Sequence, residues 1–300
     1  MAKKSKSRSK SKDVPLHRSC GAMAAHMMLL ERSPSFRAAQ MRLEAATSRR
    51  RDSAADLSKS KIVTLKTVVN VVYKTDDQNI SDAQIASQFK AMNKDFRATN
   101  PDKSGTPAPW KGLVTDSRIQ FKLVKVTRTK TASNGFTFDD AVKKASTGGI
   151  APFSPTTHVN FWVCALTGGL LGYAQFPGGP PSTDGVVINY QAFGTNGTAQ
   201  SPFNKGRTAT HEVGHYFNLR HIWADTPDCS GSDMVADTPN AAGPNFGTPA
   251  FPHVTCNNGP NGDMFVNYMD YTDDAGMFMF TAQQVLRMRA ALETQRSGLL

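Results

Sequence analysis

No apolar run in this 300-residue chain approaches the roughly 20 residues that a helical membrane span needs. The nearest candidate, GAMAAHMMLL, is broken by His26 and followed at once by Glu31 and Arg32, so no membrane span is expected. An export leader is not recognisable either, because no apolar core with a small-residue cleavage site follows the basic N-terminus. Cysteine is scarce: four residues are too few for a disulfide scaffold in a chain of this length. Acidic residues are nearly missing from the first part of the chain. Residues 1–61 hold fifteen Lys/Arg against five Asp/Glu, whereas the remaining 239 hold twenty against nineteen. The net charge of +11 therefore belongs to an N-terminal segment, and the rest is nearly neutral.

What is present suffices for a globular body. Hydrophobic residues make up 39% of the chain, with seventeen Phe and three Trp, enough to bury one sizeable core or two modest ones. Residues 1–15 read as a basic disordered tail. Residues 16–61 have helical composition and end in an exposed basic linker, with Arg49, Arg50 and Arg51 open to proteolysis. The main domain is placed at 62–300. IVTLKTVVNVVYKT reads as a largely buried strand, and RIQFKLVKV, HVNFWVCAL, LLGYAQF and GVVINYQAF as four more. Ser81 with Gln84 and Thr281 with Gln284 have the spacing of capping boxes. They open helices whose apolar faces carry Ile85, Phe89 and Met92 in one case, and Val285, Met288 and Leu292 in the other. These elements sum to an α+β fold with a twisted, mixed five-stranded sheet. Residues 222–262 form a long loop, and structureless loops of that length are usually functional or held by ions or crosslinks. Cys229 and Cys256 bracket most of it and are expected to pair; two reduced loop thiols are the alternative. Cys164 reads as a small buried hydrophobe.

The stretch HEVGHYFNLRH, His211 to His221, carries the chemistry. Residues four apart on a helix share a face, so His211 and His215 can offer two imidazoles to one ion, while Glu212 stands beside it as a proton acceptor. Ala209, Val213 and Phe217 lie nearly opposite and can bury against the sheet. A third imidazole six residues on is about 9 Å further along the axis if the helix continues, so the chain must turn back. Asn218 is placed to make that turn in the left-handed conformation, bringing His221 round to complete a three-histidine site. Three neutral ligands leave zinc its full charge and one open position, which suits hydrolysis. The bare H-E-x-x-H pattern arises by chance in roughly one chain of this length in a hundred, and the third histidine cuts that about fiftyfold.

On these residues, and on the later VNYMDYTDD, the sequence resembles the metzincin zinc endopeptidases, and HEVGH, LLGYAQFPGG, VADTP and NYMDYTDDAGMFMFT resemble the pappalysin-type branch. The departure is Asn218, where the family pattern has glycine. The resemblance implies a two-lobed domain with a helical pro-segment before it, Met269 packed beneath the metal, and Tyr271 reaching toward it to stabilise an oxyanion; a packed loop tyrosine is the alternative for Tyr271. It implies protein or peptide substrates, a preference for basic residues beside the scissile bond, self-processing near Arg49–Arg51, and secretion. Asp270, Asp273 and Asp274 are candidates for choosing the basic side chain. The resemblance also implies structural calcium, for which Asp225, Asp228, Asp233, Asp237 and Thr238 supply oxygens, solvated loop carboxylates being the alternative. Cys20, in a segment similar to the family's pro-region, is a candidate fourth zinc ligand in a latent state, against a plain free thiol. Peptide is expected to lie along the LLGYAQF strand edge. A competing reading, a nucleic-acid or anionic-surface binder with structural zinc, conflicts with the near-neutral main domain, so no nucleic-acid partner is expected.

Overall fold

A computed structural model describes residues 17–50 and 54–300. The tail expected at 1–15, and Arg51 of the basic run, lie outside the described residues. The chain opens with α1 (Ala22–Arg32) and α2 (Pro34–Ser48). Ser33 caps α2 by accepting from Phe36 N, and Pro34 takes the first helical position, where its missing N–H costs nothing. A short helix, α3 (Ala54–Lys59), follows. The expected linker is thus not wholly exposed: Leu57 is buried in the main core, where its apolar side chain outweighs the polar residues around it.

Five strands form one sheet in the order β2-β1-β3-β5-β4: β1 (Val63–Tyr73), β2 (Ile119–Lys130), β3 (Val159–Cys164), β4 (Gly172–Ala174) and β5 (Val186–Asn189). Pairing is parallel except that the edge strand β4 runs antiparallel to β5. The central strands read as continuous Val/Ile/Phe runs because both faces are covered. One face packs on α4 (Asp82–Phe96) through Ile85, Phe89, Met92 and Phe96. The Ser81 capping box forms only by half. Ser81 Oγ accepts from Gln84 N, but the Gln84 side chain is drawn away to the carbonyls of Tyr190 and Phe193. At α6 (Ala282–Glu293) the box with Thr281 is complete in both directions.

The architecture is α+β with one mixed five-stranded sheet, as expected, and α5 (Arg207–Tyr216) is buried along its whole length. Buried arginines fix both ends of α5. At its start, Arg207 pairs with Asp95 on α4 at 2.9 Å and with Asp102 at 2.9 Å. At its end, Arg296 donates to Tyr216 O and pairs with Asp184. Residues 222–262 are mostly irregular, crossed by the Cys229–Cys256 disulfide. Cys164 is fully buried, as expected of a small hydrophobe. No helix among the described residues is long and apolar enough to cross a membrane.

Candidate active site and metal centre

The apolar face of α5 is buried as its spacing requires, with Ala209, Val213 and Phe217 all fully covered. His211, Glu212 and His215 are also buried, not open to a cleft, because the N-terminal segment lies over them. The helix stops where the sequence places the stop. Asn218 sits at φ +74°, its N–H donates to His215 O, and Leu219 N–H donates to Gly214 O, so the backbone reverses. His221 is thereby carried back to the other two rings. The three Nε2 atoms lie 3.2, 3.2 and 3.1 Å apart.

Each ring is held from behind by its other nitrogen. His211 Nδ1 meets Tyr268 O at 2.7 Å, His215 Nδ1 meets Leu219 O at 2.8 Å, and His221 Nδ1 meets Asp225 Oδ1 at 2.7 Å. Two backbone carbonyls and a carboxylate take the Nδ1 protons, which leaves three lone pairs facing one point. Burial, then the neighbouring imidazoles, holds His211 and His215 well below the ordinary histidine range, so both are neutral donors. Nitrogens about 2.0–2.1 Å from a tetrahedral zinc stand roughly 3.3 Å from one another, close to the spacing here. The donor set therefore fits zinc. Trp223 stacks flat on His221, ring centroids 4.3 Å apart and planes 5° from parallel, which fixes the third imidazole further.

Cys20 joins the same cluster: its sulfur and the three histidine nitrogens all lie within 4.8 Å of one another, the one such grouping of three or more His, Cys, Asp or Glu among the described residues. Burial and the Glu212 carboxylate push this thiol well above its ordinary value, so a thiolate there requires a cation. Glu212 Oε2 is 3.3 Å from the sulfur, and burial raises the Glu212 carboxyl to about 8. The segment carrying Cys20 runs along the free edge of β4. Gly21 N donates to Gly172 O and Leu171 N to Ser19 O, both at 2.9 Å. Position 172 must be glycine, since a Cβ there would stand 2.8 Å from Glu212 Cγ.

Below the cluster, Met269 is fully buried against α5: a Cβ at Gly214 would lie 2.4 Å from its sulfur, which explains the glycine inside HEVGH. Tyr271 packs on His221 and Trp223, and its hydroxyl accepts from Cys20 N at 3.1 Å. Of the three acidic residues after Met269, Asp270 is fully buried and accepts from Asn245 N and Tyr271 N. Asp274 is the one that meets a basic side chain. Arg18, buried to 3% exposure, places Nη2 at 2.6 Å from Asp274 Oδ1, Nη1 at 3.0 Å from Thr208 Oγ1, and its guanidinium 5.2 Å from the Phe203 ring centroid.

Of the five calcium candidates only Asp233 and Thr238 meet, at 2.7 Å, and no three of the four aspartates converge among the described residues. Asp225 is taken by His221. Asp228 is exposed and holds Ser230, and Asp233 binds Thr238 and Val235 N. Asp237 accepts from Thr281 Oγ1 and Gln283 N at the start of α6. Loop acidity signalled calcium, but helix capping and histidine orientation use the same oxygens. Sequence reasoning missed Arg18 and Trp223. Arg18 stands two residues before Cys20, the period at which an extended chain repeats a face, and that spacing was the available signal.

Residues 153–293 match a peptidase family model described as pregnancy-associated plasma protein-A. An extracellular metalloprotease of Arthroderma benhamiae is 32% identical over 253 residues, 82% of this chain and 83% of that protein. One from Pyricularia oryzae is 33% identical over 292 residues, 93% and 90% of the two. The chain belongs to the pappalysin family. Among solved structures it is similar to Tannerella forsythia mature mirolysin in complex with a cleaved peptide, at 47% identity and TM-score 0.78, covering 80% of this chain and 96% of that one. A promirolysin mutant of the same organism superposes at TM-score 0.84 with 41% identity, covering 94% and 97%. This member of the family is a metalloendopeptidase.

Proposed function

We propose that the chain is a zinc endopeptidase held latent by its own N-terminal segment and secreted, with a preference for a basic residue directly after the scissile bond. The observation that carries this is the convergence of His211, His215 and His221 with Cys20, on a segment lying along β4 where a peptide strand fits. Zinc, when bound, supplies Lewis acidity to a water and to the scissile carbonyl. The chain's residues do the rest. Glu212 takes a proton from the attacking water and returns it to the leaving amine; burial holds its carboxyl at about 8 while Cys20 covers it. The Tyr271 hydroxyl donates to the carbonyl oxygen as negative charge develops, from the position in which it now meets Cys20 N. Leu171 N and Gly172 O, now paired with Ser19 and Gly21, align the peptide main chain as an added strand.

In this reading Cys20 is the fourth ligand of the latent state and excludes water. Residues 16–61 are a pro-segment, 62–300 the catalytic domain, and Met269 and Asn218 are structural supports. Arg18 occupies the pocket of a substrate's basic residue, with Asp274 at its base. The same pocket suits cleavage before an arginine of the Arg49–Arg51 run. The mirolysin precursor's larger coverage of this chain, 94% against 80% for the mature form, supports a pro-segment of this extent. Secretion is supported by the extracellular relatives and suits the Cys229–Cys256 disulfide.

Incubating the full chain with zinc, in parallel with Glu212→Ala, and following intact mass tests the proposal. Loss of the N-terminal segment in the first protein only is expected. Full-length chain persisting in both, or trimming in both, contradicts it.

A further inference from the structure

Glu44, on α2, is the segment's second charged anchor. Its carboxylate takes a two-pronged bond from Arg287, with Nη2 2.6 Å from Oε1 and Nη1 2.9 Å from Oε2, and Asn218 Nδ2 donates to Oε1 at 3.1 Å. Arg287 is nearly buried and is aimed by the carbonyls of Asn218 and Met234. Arg220 adds a second positive charge, which acts on Glu44 and on Arg287 and is partly offset by Asp233 and Asp225. Burial works against the charge on Glu44, but Arg287, Asn218 and Arg220 together hold its carboxyl below the usual range. The body below α2 thus presents a carboxylate receptor made of the Arg287 guanidinium and the Asn218 amide.

This receptor adjoins the cleft. Phe176, just beyond β4, has its ring centroid 5.5 Å from that of His215, and His26 on α1 lies 4.3 Å beyond Phe176. Asn218 and Arg220 stand three residues and one residue before His221, so the receptor is tied to the third imidazole through the chain itself. The receptor therefore lies just past the end of α5, whereas the Arg18 pocket lies at its start, with His211 and His215 between them. Resting on the proteolytic reading above, we propose that once the N-terminal segment leaves, Arg287 and Asn218, with the positive charge of Arg220 beside them, bind the carboxylate of an acidic substrate residue that lies beyond the end of α5. Glu44 is the internal stand-in for that side chain.

The test uses full-length protein allowed to process in zinc, and quenched-fluorescence peptides with arginine after the scissile bond. Each peptide carries Glu or Gln at one position, scanned in turn along both sides of the scissile bond. A Glu/Gln ratio in kcat/KM of about tenfold or more at one of these positions is expected for a bidentate charged pair, with the gain in KM and weakened by salt. The ratio falls toward one in Arg287→Gln and in Arg220→Gln; the second removes no hydrogen bond seen here, so it stands if the first fails to fold. A ratio near one at every position in wild-type protein overturns the inference and leaves the proteolytic reading intact. A ratio that survives both substitutions overturns it too. If neither peptide series is cut, the proteolytic reading itself falls, and the inference with it.

Discussion

The Arg18 pocket offers the sharpest perturbation, because the two oxygens of Asp274 do different jobs. Oδ2 accepts from Lys205 N at 2.7 Å and Arg207 N at 3.2 Å, so it caps the start of α5, while Oδ1 alone meets the guanidinium. Asp274→Asn can keep its oxygen on the backbone donors and turn its amide toward the pocket. The helix cap survives and the charged acceptor is lost. A hydrogen bond to a charged group contributes about 1.5–3 kcal/mol, which corresponds to roughly 10- to 150-fold. Thr208 Oγ1 and Thr272 O remain as neutral acceptors, so the lower half of that range applies. The assay compares kcat/KM for peptides with arginine or glutamine after the scissile bond, using processed wild-type and Asp274→Asn proteins, with melting temperature as a check on the cap. The arginine advantage is expected to shrink about 10- to 50-fold, with the glutamine peptide little affected and the melting temperature within a few degrees. An undiminished arginine advantage in a folded variant would refute the assignment of this pocket.

Three further outcomes follow from the same contacts. Cys20→Ser replaces a thiolate donor with a weaker one, so the full chain should process in zinc markedly faster than wild type; equal rates on a time course by mass would show that Cys20 is not the latch. Asn218→Ala puts a residue without local hydrogen bonding at φ +74° and removes the amide bonded to Glu44, so on a Glu212→Ala background it should cost about 1–2 kcal/mol and lower the melting temperature by several degrees. Asn218→Gly, measured alongside, should lose less. Burial raises the Asp270 carboxyl from 3.8 to about 7, so over that interval the folded chain holds a proton that the unfolded chain has released. Its contribution to stability is complete below about pH 4 and is lost as pH rises toward 7. The melting temperature of Asp270→Asn relative to wild type should therefore climb between pH 5 and 7 and level off above; a pH-independent difference would contradict the assignment.

The metal cluster was legible because its geometry is local. His211 and His215 need only a helix, and Asn218 needs only one residue at positive φ, both readable from the eleven residues 211–221. The disulfide and the apolar faces of α4, α5 and α6 were legible for the same reason of local spacing. Strand content was legible, but the order β2-β1-β3-β5-β4 was not, since pairing between distant strands leaves no local mark. Competition misled in two places. Gln84 has the spacing of a capping residue but is claimed by carbonyls more than a hundred positions away, and Asp225 sits among loop acids but orients His221. Arg18 was hidden because its partner Asp274 lies 256 residues along the chain.

The proposition beneath all of this is that three imidazoles and the Cys20 sulfur surround one zinc ion. Zinc K-edge X-ray absorption on the full-length Glu212→Ala protein, with metal content measured on the same sample, addresses it directly. The expected spectrum shows one zinc per chain with three nitrogen ligands at about 2.0–2.1 Å and one sulfur at about 2.3 Å, the sulfur vanishing in Cys20→Ala. A chain that binds no zinc, or one whose zinc shell is unchanged by His221→Ala, would contradict it.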